Sequence, residues 1–552
     1  MNAQDLTFFG SIWAHWLSWT ILIPVLGALA IALVPKDRHT LMKGITLVVS
    51  LVVLAMGLAI WFSFDPDSAA FQFVENMQWI PGIGAAYLVG IDGMSMILVV
   101  LTAFLTPIAL LGTWTSVTEK VKGYMASILM LEAGMIGVFV ARDLFLFYIF
   151  WEAMLIPMYL LIGVWGGPRR VYAAVKFILY TLVGSFLMLI AILALYFLHG
   201  RLTGIYTFDL AALEQIALPF GAQTWLFLAF TFAFCIKVPL WPFHTWLPDA
   251  HVEAPTFGSV ILAGVLLKMG TYGLLRFSLP LFPIAATIAV PWMATLAIIG
   301  IIYGGLVAWV QKDIKSLVAY SSVAHLGFVV LGIFTFRAEG LSGSILQMVN
   351  HGISTGALFI LVGYIYQRRH TREISEFGGL AKVMPIYAAF LLVVAFSSAG
   401  LPGLNGFVGE FLILIAAFQV SPWMAIPAIP GIIIAALYLL RMLRGVIWGP
   451  LDKEENKVLK DLNLREILTM VPLLVLIVCI GVFPKPFLRP LEPVAAKIEK
   501  RMSSVRQPVR YVIETPINVE SEEQAIQLKA EDPVPDTEPT ESDEPHSAKM
   551  VK

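Results

Sequence analysis

The sequence predicts an all-α polytopic membrane protein with about fourteen transmembrane helices, and three observations support that prediction. Of the 552 residues, 59% are hydrophobic and only 13% are charged, whereas a soluble domain carries about a quarter charged residues. The mean hydropathy is +0.84. Many apolar runs approach the roughly 20 residues that cross a bilayer as a helix, a form that satisfies every backbone polar group in lipid. This composition excludes an ordinary soluble enzyme.

Apolar stretches separated by polar turns place the spans along the chain. The N-terminus lacks the basic region and small-residue cleavage site of a signal peptide, so we expect the first span to be retained. The expected spans are 19–35, 43–62, 93–113, 123–141, 143–163, 173–198, 223–246, 257–276, 288–309, 318–335, 342–366, 384–418, 424–444 and 467–484.

The distribution of basic residues predicts the orientation of the spans. The odd-numbered connections hold 20 Lys and Arg residues, while the even-numbered connections together with the N-terminus hold 4. By the positive-inside rule the odd connections face the cytoplasm, and an even number of spans puts both termini outside. The basic stretch 485–510 would itself prefer the inside, which leaves the side of the C-terminus open. The four outer basic residues are Arg142, Arg201, Arg276 and Arg337.

Two segments outside the spans have sequence patterns that do not predict membrane-spanning helices. The loop 64–92 is punctuated by Pro and Gly and contains the extended stretches 71–74 and 85–89, which predict a short hairpin on the outer face. The segment 491–552 is first basic and then acidic and proline-rich, and we expect it to be a disordered tail because it has little apolar surface to bury.

Cysteine and charge usage exclude several classes of function. Cys235 and Cys479 lie far apart in separate apolar segments, so the chain has no disulfide framework and no cluster of thiols for a metal. The formal net charge of -1 provides no basic field that would attract nucleic acid. We therefore expect no metal, no redox cofactor and no nucleic-acid partner.

Five ionisable side chains lie inside expected spans, where a charge costs at least about 2.5 to 3.5 kcal/mol. Such residues more often line ion pathways than only hold helices together. We hypothesise that Glu152 and Lys237 form a switchable pair and that Lys268 and Glu410 continue a proton route. Glu132 is either a second acid on that route or a partner buried against another chain.

Two of these spans are broken beside their charge. Pro239 and Pro242 follow Lys237, and Pro402 with four glycines precedes Glu410, so the helical hydrogen-bond ladder must be interrupted at both places. Irregular backbone at membrane depth indicates a cavity lined by protein or water. The two broken spans are five apart and run in opposite directions, as an inverted repeat of five helices predicts.

The expected organisation follows from these breaks. It comprises N-terminal helices 1–3 with the hairpin (1–122), a first inverted repeat of helices 4–8 (123–277), a second of helices 9–13 (278–445), a cytoplasmic loop with helix 14 (446–490), and the tail (491–552).

Histidines add two candidate features. His325 and His351 on successive spans are expected to relay protons because imidazole titrates near neutrality; the alternatives are hydrogen-bonded core residues and bis-histidine haem ligands. His244, a further candidate for the path, and His251 flank Asp249 at the end of the broken seventh span. That grouping is superficially like a metal site, but the neighbouring prolines favour a tight capping loop.

Several segments resemble the antiporter-like membrane subunits of respiratory complex I, and the resemblance extends over roughly residues 90–480. The matching segments are Phe147–Gly167, Arg169–Phe177, Lys237–Pro255, Leu267–Gly273 and Tyr320–Gly327.

The resemblance implies fourteen core helices, two inverted five-helix repeats and a proton path along the centre of the membrane. It assigns Glu152 as the partner of Lys237, Lys268 as the lysine of the eighth helix, and Glu410 as the acid of the broken twelfth helix. His325 and His351 match histidines of the relay. Glu132 has no clear counterpart, and the acidic tail beyond about residue 510 departs from shorter members.

For the whole complex, the resemblance implies electron transfer from NADH, or ferredoxin in some relatives, to a quinone. FMN and iron-sulfur clusters would lie in other subunits and no cofactor in this chain. The implied partners are other membrane-arm subunits, among them antiporter-like chains of the L and N types, together with lipid and protons. The implied location is the bacterial inner (plasma) membrane, with both termini on the periplasmic side. Three alternatives stay open: a subunit of a multi-subunit cation/proton antiporter, a subunit of an energy-converting hydrogenase, and a structural scaffold.

Overall fold

The structure is a computed structural model and describes residues 15–506. Thirteen of its helices are long and apolar enough to cross a membrane, and two shorter apolar helices follow the eleventh of them. They match the fourteen expected spans one by one, the two short helices together forming the twelfth, which confirms the all-α polytopic fold. The expected sides of the chain ends and the acidic part of the tail concern residues 1–14 and 507–552, which lie outside the described residues.

We number the main helices by span and omit helices of one turn. The first eight spans are α1 Trp16–Leu33, α2 His39–Ser63, α3 Gly93–Gly112, α4 Val121–Val140, α5 Leu144–Trp165, α6 Arg170–Thr203, α7a Phe220–Lys237 with α7b Trp246–Glu253, and α8 Thr256–Leu281. The remaining helices are α9 Pro283–Val310, α10 Ile314–Ile333, α11 Ala338–Arg369, α12a Pro385–Ser398, α12b Asn405–Val420, α13 Pro422–Trp448, α14 Leu464–Val482 and α15 Glu492–Arg506.

The helices differ sharply in how much of their surface other helices cover. The most apolar windows of α8 and α11 are 100% buried, whereas those of α2 and α14 are only 28% and 33% buried. Apolar faces left open in this way suit contact with lipid. Lys268, His325 and His351, near the middle of α8, α10 and α11, therefore lie at the centre of the bundle.

Both expected helix breaks are present. Helix α7a ends at Lys237, and α7b begins only at Trp246. Helix α12a ends at Ser398 and α12b begins at Asn405. Between α12a and α12b the backbone of Gly400 and Gly403 has φ values of +76° and +91°, a conformation that glycine adopts without steric cost.

Two short backbone bridges occupy corresponding places in the two expected repeats. Before α5, residues 142–144 pair antiparallel with residues 208–210 through N–H···O contacts of 2.9 and 3.0 Å. Before α10, residues 312–314 pair in the same way with residues 372–374 through contacts of 3.0 and 2.9 Å. Each bridge ties the start of one helix to the loop that follows the next.

The same two helices begin with an aspartate cap. The Asp143 carboxylate accepts hydrogen bonds from the N–H groups of Phe145 and Leu146, both at 2.9 Å, and the Asp313 carboxylate accepts one from Ser316 at 3.0 Å. These bonds satisfy donors that have no partner inside the helix. Helices α8 and α13 each carry a π-helical turn near the end, at Leu274–Ser278 and Arg444–Trp448.

A two-stranded antiparallel hairpin follows α2, formed by β1 (Gln72–Ile80) and β2 (Ala85–Ile91). Both strands are longer than the extended stretches expected from the sequence. The buried Glu75 carboxylate on β1 accepts hydrogen bonds from the backbone N–H groups of Leu17 (2.8 Å) and Ser18 (3.2 Å). A carboxylate at a helix N-terminus is favoured by the helix dipole, so the hairpin is fixed to α1 of its own chain.

The expectation of a disordered tail from residue 491 is wrong for its first part. Residues 492–506 form α15, and Arg501 donates hydrogen bonds to the carbonyl oxygens of Glu214 (2.6 Å) and Pro280 (2.9 Å). Glu499 pairs with Arg337 at 3.4 Å. Leu491 and Met502 are fully buried, which supplies the apolar anchoring that composition alone did not reveal. This helix lies at the end of the bundle that carries the even-numbered connections.

Candidate functional site

The first element of the candidate site is a lysine–histidine contact between α8 and α11. Lys268 is completely buried, and its Nζ lies 2.7 Å from Nδ1 of His351, which is 3% exposed. Lys268 Nζ also donates to the carbonyl oxygen of Ala263, within the π-helical turn Leu262–Leu266. π-Helical turns leave backbone groups available and are frequent at functional sites. His351 Nε2 is buried and has no hydrogen-bond partner among the described residues.

A histidine–carboxylate contact between α10 and α12b is the second element. His325 Nδ1 lies 2.8 Å from the Glu410 carboxylate, and Gln347 on α11 donates to the same carboxylate oxygen at 3.0 Å. The other ring nitrogen of His325 lies 3.2 Å from the Tyr438 hydroxyl on α13. Helices α10 and α11 therefore hold Glu410 directly, and α13 holds His325.

These two elements adjoin each other. The ring centroids of His325 and His351 are 6.0 Å apart. A small cavity borders both rings and Asn350, with about 10 Å³ of space for water centres, which is room for about one water. That space is far too small for a porphyrin, so the haem alternative finds no support. Lys268, His351, His325 and Glu410 thus form one row with a single gap that one water can bridge.

Polar side chains of α11 and α12 line the same cavity. The Asn350 amide donates to the carbonyl oxygen of Asn405 at 2.7 Å, and the hydroxyls of Ser354 and Ser397 lie 2.6 Å apart. These bonds hold the broken twelfth span against α11, which supports the position of Glu410.

The expected direct pair of Glu152 and Lys237 is absent from the ion pairs within 4.0 Å that join residues 15–506. Lys237 Nζ instead lies 3.9 Å from Met154 Sδ, and 5.2 and 5.6 Å from the ring centroids of Trp151 and Phe177. Helix α5 is interrupted at Met154, which brings this thioether to the amine, and the two aromatic faces stabilise the cation. One oxygen of Glu152 is buried without a hydrogen-bond partner in this part of the chain.

Glu132 is also left without a partner. It is completely buried on α4, and neither carboxylate oxygen has a hydrogen-bond partner within residues 15–506. A buried carboxyl without a partner is a candidate for function.

His244 lies outside the row of four residues. Its ring packs edge-on against Tyr303 and Tyr320, with centroids 5.1 and 6.4 Å away. His251 is completely buried, stacks on Phe359 at 4.6 Å, and neither of its ring nitrogens has a partner among the described residues. Sequence reasoning considered His251 only as a metal ligand and missed it as an unpartnered buried base.

The acidic residues beside these histidines have structural partners. Asp249 accepts a hydrogen bond from Lys176 at 2.7 Å, and Glu253 accepts one from the Arg169 N–H at 2.9 Å. Within the described ranges, no group of three His, Cys, Asp or Glu side chains is arranged to hold a metal ion. Asp249, His251 and Glu253 lie on helix α7b, so the expectation of a tight capping loop at this place is wrong.

Sequence reasoning also missed the amides of the site. Gln347, Asn350, His351 and Ser354 recur at the i, i+3, i+4, i+7 spacing of one helix face. This polar stripe in an otherwise apolar span was a readable signal. Tyr438 gave no such signal, because it is a single aromatic residue in an apolar helix.

Comparison with known proteins relates the chain to one family. The family model described as NADH:quinone oxidoreductase/Mrp antiporter, TM, matches residues 141–435. The NADH-quinone oxidoreductase subunit M of Rhodobacter capsulatus is 47% identical over 482 residues, which cover 85% of this chain and 93% of the relative. The NADH-ubiquinone oxidoreductase chain 4 of Marchantia polymorpha is 45% identical over 475 residues, covering 86% and 94%.

Solved structures show the same fold. A chain of respiratory complex I from Thermus thermophilus has a TM-score of 0.81 and 32% identity, with 88% of this chain and 99% of that chain covered. A chain of the Mrp complex from a Dietzia species has a TM-score of 0.77 but only 21% identity, with 89% and 99% covered. The second similarity concerns the fold alone.

Proposed function

The chain belongs to the NADH:quinone oxidoreductase/Mrp antiporter transmembrane family, and we propose that it is the M-type (chain 4) proton-translocating subunit of an NADH:quinone oxidoreductase. Relatives of that type reach 47% identity over most of both chains, against 21% for the Mrp chain. This difference favours the oxidoreductase over the cation/proton antiporter.

The proposed proton route runs through Glu152, Lys237, Lys268, His351, His325 and Glu410, with Glu132 and His244 beside it. The observation that supports it most strongly is the buried row from Lys268 to Glu410, in which contacts of 2.7 and 2.8 Å are separated by one gap of 6.0 Å between rings. A proton on the Lys268 amine passes to His351 and crosses one water to the hydrogen-bonded pair of His325 and Glu410.

Electrostatic coupling would drive this transfer. Each charge moved against about 100 mV requires about 2.3 kcal/mol, which corresponds to roughly a fiftyfold change in proton affinity. Approach of a charge to a buried amine or carboxyl changes its proton affinity by that much or more. Because Lys237 contacts Met154 rather than Glu152, closing the Glu152–Lys237 distance is the movement that would switch the lysine between its charged and neutral forms.

The two halves of the route would belong to inverted repeats, α4–α8 (within 123–277) and α9–α13 (within 278–445). Support comes from the helix breaks at α7 and α12, the backbone bridges before α5 and α10, and the π-helical turns near the ends of α8 and α13. In an inverted repeat, corresponding features lie at opposite membrane surfaces. The two halves would then open toward opposite sides.

Other subunits would supply the redox chemistry. FMN and iron-sulfur clusters would carry electrons from NADH or ferredoxin to the quinone, and this chain would pack against other membrane-arm subunits, including L- and N-type chains. In a bacterial inner membrane the even-numbered connections would face the periplasm. Helix α15 would then lie on that side.

The test uses the assembled complex in proteoliposomes, with NADH oxidation and the transmembrane pH gradient measured together. Replacing Lys237 with Ala should reduce the gradient formed per NADH oxidised by at least about tenfold in a complex that still assembles. A normal gradient would exclude the route. Sodium-dependent proton exchange without NADH would instead indicate the antiporter.

A further inference from the structure

A second cluster of buried charges lies at the outer end of α8, away from the proposed route. Arg276 is 8% exposed and Asp92, the N-cap of α3, is 2% exposed. The Arg276 guanidinium donates to the Asp92 carboxylate at 2.6 Å and to the Ser95 hydroxyl at 3.2 Å. A buried arginine at this end of the bundle departs from the positive-inside pattern, so its presence requires a reason.

The cluster lies on the same side of α8 as Lys268. Lys268, Tyr272 and Arg276 recur every four residues along α8 and so lie near one face. Arg276 Nε donates to the Tyr272 hydroxyl at 3.2 Å. One helical turn therefore separates the proton-carrying amine from a tyrosine that contacts the arginine.

The hydrogen bonds in this cluster do not form a proton relay. The Tyr272 hydroxyl donates its proton to the backbone carbonyl of Phe139 at 3.0 Å, so that proton is already committed. Arginine has only donors and is not deprotonated in proteins, so Arg276 can neither accept nor release a proton. The Asp92 carboxylate oxygen that contacts Arg276 also accepts the Ser95 N–H at 3.0 Å.

An aromatic ring from the hairpin region covers the cluster from outside. The guanidinium carbons of Arg142 and Arg276 lie 4.1 and 4.9 Å from the centroid of Phe71, and Lys497 Nζ lies 5.9 Å away. Contacts of this kind stabilise cations with little water. Three positively charged side chains thus surround the Phe71 ring at the outer end of α8.

Acids near the surface balance part of this charge. Burial is the largest influence on Glu214 and raises its pKa, while Arg276, Lys497 and Arg501 act in the opposite direction. Asp209 and Arg142 also interact electrostatically. The charged group that contacts Tyr272 is nevertheless the Arg276 guanidinium, which carries a permanent positive charge.

We propose that Arg276, held by Asp92 and Tyr272 and covered by Phe71, is a seal that prevents the proton on Lys268 from escaping to the outer face along α8. A fixed positive charge raises the electrostatic barrier to protons and other cations that approach it. The proton then leaves Lys268 only toward His351. This inference rests on the proposed function of Lys268 and assigns Arg276 a positioning role in that function.

The test measures passive proton leak in liposomes that contain the assembled complex, with an imposed pH gradient and no NADH. The variant is the double substitution Asp92→Asn with Arg276→Gln, because removing both charges avoids leaving one of them buried and unpaired. We expect a leak at least about tenfold faster than in the unmodified complex. Arg276→Lys keeps the charge and should keep the leak low.

A matched control replaces a buried ion pair at the other end of the bundle. Arg368 and Glu466 pair at 2.6 Å and are 16% and 3% exposed in their side chains, and the double substitution Arg368→Gln with Glu466→Gln should leave the leak unchanged. Adding Lys268→Ala to the Asp92→Asn/Arg276→Gln variant should return the leak to its original rate, because the escaping proton passes through that amine.

The proposal is overturned if the Asp92→Asn/Arg276→Gln complex assembles and leaks no faster, or if its leak survives Lys268→Ala. Should that variant fail to assemble, Phe71→Ala is the second test: it removes the cover alone and should raise the leak about threefold, and no rise would reject the seal. Failure of the proposed function is a separate outcome, since it would appear as normal NADH-driven pumping by the Lys268→Ala complex.

Discussion

Nζ of Lys268 lies 2.7 Å from Nδ1 of His351, so an amine on α8 and an imidazole on α11 share one contact at the centre of the bundle. In the proposed arrangement these helices belong to different repeats. The contact therefore joins the two halves of the route, and it is the position where a proton would pass from one half to the other.

Replacing Lys268 with Ala tests that junction. We expect the pH gradient per NADH oxidised to fall at least about tenfold, because the alanine side chain can neither hold nor transfer a proton. The measurement is gradient formation by the assembled complex in proteoliposomes. The control is Lys43→Ala, since among residues 15–506 Lys43 donates only to the carbonyl oxygens of Trp114 and Val117 and should be dispensable for pumping. Equal pH gradients in the Lys268→Ala and Lys43→Ala complexes would contradict proton transfer through the Lys268–His351 contact.

Replacing His325 with Gln tests the second element of the row. Glutamine can hydrogen-bond to Glu410 but cannot take up a proton, so the geometry survives while the relay does not. Pumping should fall about tenfold or more, with the complex assembled normally. The control is His199→Gln, because that buried histidine bonds to the Ile205 carbonyl at 2.7 Å outside the row. A His325→Gln complex that pumps normally would leave His325 with a structural role only.

Replacing Glu152 with Gln distinguishes a pathway from a scaffold. The carboxylate makes no ion pair with Lys237 within 4.0 Å among residues 15–506, so the substitution removes little from the stability of this conformation. We expect a loss of pumping with an almost unchanged unfolding temperature. Glu75→Gln is the control, because Glu75 fixes the hairpin to α1. This variant should show the opposite result, a lower unfolding temperature with unchanged pumping. Intact pumping by Glu152→Gln would favour the scaffold.

The two aspartate caps should contribute similarly to stability. Asp143→Ala and Asp313→Ala each remove the carboxylate that caps a helix, and we expect each to destabilise the folded state by about 0.5 to 2 kcal/mol. The measurement is thermal unfolding of the purified complex. Asp452→Ala, at an exposed loop position, should change the unfolding temperature little. Negligible effects at both positions would contradict the capping role.

Gly93 should tolerate no side chain. A Cβ at this position would lie 1.7 Å from the carbonyl oxygen of Pro490, so Gly93→Ala must push the segment before α15 away from the start of α3. We expect destabilisation of about 1 to 3 kcal/mol and faster proteolysis near residue 490. Gly44→Ala is the control, since nothing lies within 4 Å of a Cβ there and alanine favours the helix. Equal stability of the Gly93→Ala and Gly44→Ala variants would contradict the close approach of Gly93 to the Pro490 carbonyl oxygen.

The sequence predicted the candidate residues better than their contacts. Lys268, His351, His325 and Glu410 stood out because ionisable groups are rare in apolar spans, and the structure brings all four into one row. Glu152 was expected to pair directly with Lys237. It does not, because the interruption of α5 brings Met154 to the amine, a detail that no local pattern indicated.

Two features of the fold were misjudged for a related reason. Helix α15 was assigned to a disordered tail on composition, yet Leu491 and Met502 bury completely against the bundle. Arg276 was noted only as an exception to the positive-inside count, and its reason became visible once Asp92 was found beside it. In both cases the deciding partner comes from a distant part of the chain.

The sequence by itself determined the spans, the two broken helices and the identity of the buried ionisable residues. These are local properties, because about 20 apolar residues suffice to cross a bilayer, and prolines grouped with one another or with glycines interrupt a helix. Only the tertiary structure decided which buried groups meet. Contacts between helices depend on the rotation of each helix about its own axis and on interruptions such as π-helical turns, and both are set by packing against neighbours distant in the sequence.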